Sequence, residues 1–196
     1  WADLGSDDLD KDLDQFASQK KLKGYREILQ AKPVGYMLRK EFIRGIEKIG
    51  KRGYTYDILI FHNQLEAALQ FVKKAPEQPF VIDHIAKPNI KLGIWREWKE
   101  EMAPLAERDY VFCKLSGMIT EADWKKWTAT DLQVYLDVAL ELFGPKRVMF
   151  GSDWPVCKVA GEYEQVLEVI ERFTDKLSNS EKEAIMGNTA AEFYGI

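Results

Sequence analysis

Histidine and cysteine are scarce in this chain. It holds two of each in 196 residues: His62 and His84, Cys113 and Cys157. Any mechanism that draws four histidine ligands from this polypeptide alone is therefore excluded. The cysteines show no metal-binding spacing and allow at most one disulfide, so a reduced, cytoplasmic setting is the expectation. Also lacking is any apolar run near the roughly 18 residues that would cross a bilayer, and no signal-peptide pattern opens the chain. Basic residues are in deficit, 28 against 32 acidic ones, for a formal charge of −4. With no basic stripe interleaved with aromatics, neither nucleic acid nor membrane is an expected partner. An initiating methionine is missing too. "WADLGSDDL" reads as the tail of a strand at Trp1 entering a helix capped by Ser6. It predicts a fragment, or a numbering that starts mid-protein.

What is present suits one domain, residues 1–196, with a sizeable core: 46% hydrophobic and 31% charged residues. Apolar residues at helical spacing predict helices over 6–19, 41–51, 63–75, 94–107, 131–144, 162–176 and 180–194. Short β-rich runs predict strands over 21–29, 54–61, 79–84, 110–117 and 147–153. Strand–helix units repeating every 25–35 residues or so argue for parallel strands with right-handed crossovers. An open doubly wound sheet and a (β/α)8 barrel both satisfy that order. No Gly-rich phosphate loop follows the first strand, as an open nucleotide-binding sheet would need. In a barrel, chemistry gathers where the strands end.

The five strands end in Arg26 with Glu27, then His62, His84, Ser116 and Asp153, so both histidines fall at strand exits. By strand alternation, His84 shares a face with Phe80 and Ile82, opposite Asp83, and Asp153 shares one with Met149 and Gly151. Each also has a plainer explanation. Asp153 suits a turn, His84 a structural role, and His62 the start of a helix; Arg26 could pair with Glu27, and Lys114 could lay its stem on apolar surface. Gathered at one barrel mouth, Arg, His and Asp from separate strands would converge on a small polar substrate.

"FVIDHIAKP" (80–88), "CKLSGM" (113–118), "FGSDWPVC" (150–157) and "NTAAEFYGI" (188–196) carry a resemblance in this order and spacing. Together with "WADLGSDDL", "KLKGYREILQ" and "YTYDILI", they resemble the lactonase-type branch of the amidohydrolase superfamily, the amidohydrolase-2 family. The resemblance implies a (β/α)8 TIM barrel, here about five strand–helix units lacking the first two to three strands. It implies hydrolysis of a sugar-acid or related lactone, such as fuconolactone, rhamnonolactone, galactarolactone or pyrone-dicarboxylate. By motif match, Asp153 would be the acid ending the eighth strand and His84 the histidine ending the sixth. Arg26 would anchor substrate, and Trp154, His62 and Lys87 are further substrate-binding candidates. Two departures stand out: no His-x-His pair is present, and Glu27 replaces the usual histidine after the arginine.

Lactone hydrolysis needs a water nucleophile, a base and oxyanion stabilisation. Asp153 is the expected general base, and His84 the group that polarises the carbonyl. A divalent metal such as zinc would enter only if an upstream His-x-His pair completed a site with His84 and Asp153. Two rivals stand beside this reading: a metal-dependent decarboxylase of the same superfamily, and an inactive truncated copy. Five strands cannot close a barrel, so self-association through the open edges is a further expectation.

Overall fold

The computed structural model describes residues 2–196; the strand tail read at Trp1 lies outside the described residues. Five strands are present: β1 Gly24–Ile28, β2 Thr55–Leu59, β3 Phe80–Ile82, β4 Val111–Leu115 and β5 Val148–Phe150. All pair in parallel, in the order β1-β2-β3-β4-β5. Chain order equals spatial order, so the sheet never reverses direction. A doubly wound sheet must reverse at a switch point, whereas an arc of a barrel does not.

The helices are α1 Leu9–Phe16, α2 Lys40–Lys51, α3 Leu65–Val72, α4 Arg96–Ala106, α5 Met118–Glu121, α6 Ala129–Phe143, α7 Tyr163–Thr174, α8 Asn179–Glu183 and α9 Thr189–Tyr194. Successive right-handed crossovers in one direction stack their helices on one side of the sheet. That outer layer meets Tyr56, Ile58, Phe80, Ile82, Val111, Cys113, Leu115 and Val148 in one continuous core. The longer helices join it through the stripes legible in their sequences, as Phe42, Ile46 and Ile49 of α2 illustrate. Gly53, at φ 78°, follows this helix and turns the chain into β2.

Several boundaries differ from expectation for local reasons. The first helix starts at Leu9, because the Ser6 hydroxyl accepts from the Asp8 amide (3.1 Å) in a turn and does not cap the helix. Leu9 and Leu13 are buried, but Phe16, at helical spacing from them, is exposed. α6 starts two residues early, since Thr128 and Asp131 form a capping box. The helix expected over 180–194 is interrupted by a π-helical turn at Ala184–Asn188.

The inner face is where an open arc would be expected to show apolar surface to water. At its β1 edge it does, since Ile28, on the same strand face as Arg26, is 47% exposed, but the middle of the arc is covered. Val81 and Met149 are covered by Phe193 of α9, which also stacks on Phe112 with ring centroids 4.9 Å apart. The C-terminal segment continues across the arc, and the Lys23 ammonium donates to the Gly195 carbonyl (2.8 Å). Within the described sheet β1 pairs only with β2, and β5 only with β4.

Candidate active site

Above the layer covered by α9, the inner face carries charge. Register places Arg26 of β1 beside Asp57 of β2, and Lys114 of β4 beside Met149 of β5. Asp83 follows the last residue of β3. The Lys114 ammonium donates to Asp83 Oδ1 (2.6 Å) and Asp57 Oδ2 (2.8 Å), and Arg26 Nη1 donates to Asp83 Oδ2 (3.0 Å). Tyr194 of α9 donates its hydroxyl to Asp57 Oδ2 (2.8 Å). Two cations and two anions thus alternate, and the buried charges are paired as burial demands.

Burial pushes the Asp83 carboxyl up, but the opposing pull of Lys114, aided by Arg26, outweighs it and holds the group below the usual range. For Asp57 burial wins over Lys114, and its carboxyl is raised. Burial would lower Lys114, yet Asp83 and Asp57 more than offset that, so its ammonium is raised and stays charged. Lys114 is therefore the hub of a buried ion network, which corrects its reading as a stem lying on apolar surface.

His84 reaches this face by an unexpected route. Strand alternation sends Asp83, not His84, to the inner side. The chain then enters a left-handed turn in which His84, Ile85, Ala86 and Lys87 all have φ between 46° and 58°. Such angles are costly for residues with a Cβ, and more so for β-branched Ile85. Surrounding structure holds the turn: the Trp98 indole donates to the Ile85 carbonyl (2.9 Å), and Ile85 and Ala86 are fully buried. The turn brings His84 Nε2 to 3.6 Å from Asp153 Oδ1.

Burial, reinforced by Lys87, Lys114 and Arg26 against the opposing pull of Asp83, lowers the His84 pKa to about 4. The ring is neutral at pH 7. Its Nδ1 lies 2.8 Å from the Ser116 hydroxyl. Asp153, itself at φ 56°, is raised by burial, with Lys87 and Arg26 pulling the other way. Its Oδ2 is buried and has no hydrogen-bond partner among the described residues. A buried carboxylate oxygen without a partner is rare enough to require an explanation.

Gly151, which alternation puts on the same face as Asp153, serves its neighbours. A Cβ there would sit 3.1 Å from both the Lys114 stem and Ser116 Cβ, so the glycine makes room for those side chains, not for substrate. Lys87 is held by Glu121 (2.7 Å) at the rim. Trp154 is largely exposed beside Asp153. His62 opens the 3-10 turn before α3, but the amide at Phe61 is held there by the Gln64 side chain (3.0 Å). None of the bonds within the cluster involves His62. Glu27 points to the other face, where it meets Lys32 (3.6 Å), so the Glu-for-His departure leaves the cluster untouched. Sequence reasoning missed Asp57, Asp83 and Tyr194. The available signal was a charged residue inside an apolar strand, repeated at Arg26, Asp57 and Lys114.

The family model described as "Amidohydrolase" matches residues 1–196. The chain belongs to the amidohydrolase family. Among curated relatives of this family, it is 37% identical to an L-fucono-1,5-lactonase of Burkholderia multivorans, covering 100% of this chain and 70% of that protein. An L-rhamnono-gamma-lactonase of Scheffersomyces stipitis is 28% identical, over 89% of this chain and 59% of that one. A crystal structure of an amidohydrolase from Burkholderia multivorans with bound zinc superposes with a TM-score of 0.95 at 36% identity, covering 100% of this chain and 72% of that one.

That bound zinc raises the question of fit. Among the described residues no three His, Cys, Asp or Glu side chains gather as a metal set. His84 Nε2 and Asp153 supply two donors, one fewer than the three protein ligands of a catalytic zinc site. The residues of this chain do not by themselves fit the metal.

Proposed function

We propose that the protein hydrolyses the lactone ring of a sugar acid, with Asp153 as general base and His84 as hydrogen-bond donor to the carbonyl. The observation that carries this reading is the unpartnered, buried Asp153 Oδ2 beside a neutral His84. The similarity to an L-fucono-1,5-lactonase and an L-rhamnono-gamma-lactonase supports the substrate class.

Burial raises the proton affinity of Asp153, which makes it a better base than an exposed aspartate. A water held by Oδ2 loses its proton to Asp153 as its oxygen adds to the lactone carbonyl carbon. Charge builds on the carbonyl oxygen, where an N–H from His84 stabilises it. The tetrahedral species then collapses, the ring C–O bond breaks, and Asp153 returns the proton to the leaving ring oxygen. The product is the open hydroxy acid. Arg26, oriented by Asp83, supplies a planar cation for a substrate hydroxyl or carboxylate. Trp154 offers its exposed ring to the apolar face of a sugar.

The test is turnover of L-fucono-1,5-lactone and L-rhamnono-gamma-lactone by the purified protein and by Asp153→Asn. The variant should lose about 100-fold or more in kcat while KM changes far less. Near-normal turnover in Asp153→Asn would overturn the assignment of the base.

A further inference from the structure

We infer that Ser116 is a positioning residue that fixes His84 as the Nε2–H tautomer and so aims its one N–H at the reacting centre. The inference rests on the proposed hydrolase reading only for its kinetic consequence. Ser116 is 1% exposed and His84 7%, so neither side chain can satisfy itself with bulk water. Their contact, Ser116 Oγ to His84 Nδ1 at 2.8 Å, allows two arrangements. If Nδ1 carried the hydrogen and donated, the Ser116 hydroxyl proton would have no other acceptor among the hydrogen bonds of the described residues. If Ser116 donates to Nδ1, both groups are satisfied and the ring hydrogen moves to Nε2.

The opposite side of the ring points the same way. Nε2 faces Asp153 Oδ1 at 3.6 Å, and an ionised carboxylate only accepts hydrogen bonds. A lone pair on Nε2 would oppose the carboxylate oxygen, whereas an N–H there is favoured.

The pair is also held sterically. A Cβ on Gly117 would lie 2.8 Å from Cβ, Cγ and Nδ1 of His84, and one on Gly151 would lie 3.1 Å from Ser116 Cβ. Two glycines thus let backbone pack directly against His84 and Ser116, where any side chain would crowd them. The low pKa of His84 agrees, because only a neutral ring has a tautomer to choose.

Nitrogen NMR of the imidazole rings provides the test, and the presence of only two histidines makes it tractable. A His62→Gln variant assigns the spectrum. At pH 7 the unaltered protein should show His84 with a protonated Nε2 and an unprotonated, hydrogen-bonded Nδ1. Ser116→Ala should redistribute the ring between its two tautomers and lower kcat about 10-fold, the scale of one lost hydrogen bond to a reacting group, with KM nearly constant. A protonated Nδ1 in the unaltered protein would overturn the inference even if Ser116→Ala failed to fold. So would a Ser116→Ala protein that keeps the single Nε2–H form. Absence of lactone turnover in the unaltered protein would instead count against the proposed function, and the NMR result would still decide the tautomer.

Discussion

Replacing Lys114 by methionine should destabilise the protein by about 3 kcal/mol at pH 7, the low end of what breaking a buried ion pair costs. The substitution keeps most of the stem volume and removes one ammonium that bonds Asp83 at 2.6 Å and Asp57 at 2.8 Å. Asp83, whose side chain is fully buried, would keep Arg26, and Asp57 would keep the Tyr194 hydroxyl. Those residual partners are the reason for choosing the low end. With a urea slope near 2 kcal/mol per molar, typical of a chain this size, the midpoint should fall by about 1.5 M. The pH dependence carries a sign. Asp83 has its carboxyl held down in the fold, so it contributes stability above its unfolded value that is lost as pH falls through its folded value. Without Lys114 that contribution shrinks, so the difference between the two proteins should be largest near neutrality and diminish below about pH 4. The triple variant with Asp57→Asn and Asp83→Asn should recover much of the loss, because no unpaired charge is left buried. A loss under about 1 kcal/mol, or one independent of pH, would refute the network's place in the folded protein.

Gly117→Ala should cost at least about 1 kcal/mol, because the position has φ 62° and the new methyl would overlap the His84 ring. It should lower kcat more than it raises KM, which steady-state kinetics on a lactone would show. Stability should also fall as pH drops from about 6.5 to about 4, since the unfolded chain binds a proton at His84 that the folded chain refuses. The slope amounts to about 3 kcal/mol over that interval. It should be absent in His84→Gln when urea midpoints are compared across pH, and a persistent slope would assign it to another group.

Much of the architecture was legible from local pattern. Leu65, Ala68, Phe71 and Val72, or Leu132, Tyr135, Leu136 and Ala139, repeat at helical spacing and are buried as that spacing requires. Alternating strand and helix patterns predicted parallel crossovers, and Asp153 lay on the face that alternation assigned to it. Alternation failed at His84, because four consecutive residues adopt left-handed angles that only the packing around Ile85 and Trp98 sustains.

By itself, the sequence determined the strand–helix alternation, the family pattern and the placing of His84, Ser116 and Asp153 just past strand ends, whereas Arg26, read as a strand end, lies in the middle of β1. These depend on periodicities and turn residues that act over a few positions. Only the tertiary structure decided that Lys114 joins Asp57 to Asp83 and that Tyr194 returns from the far end of the chain to meet Asp57. It also decided that Gly151 serves Lys114 and Ser116, and that the imidazole of His84 stays neutral. Each depends on contacts between residues distant in sequence and on the loss of water around them. Burial sets the value of a charge or a hydrogen bond, and burial exists only once the strands have come together.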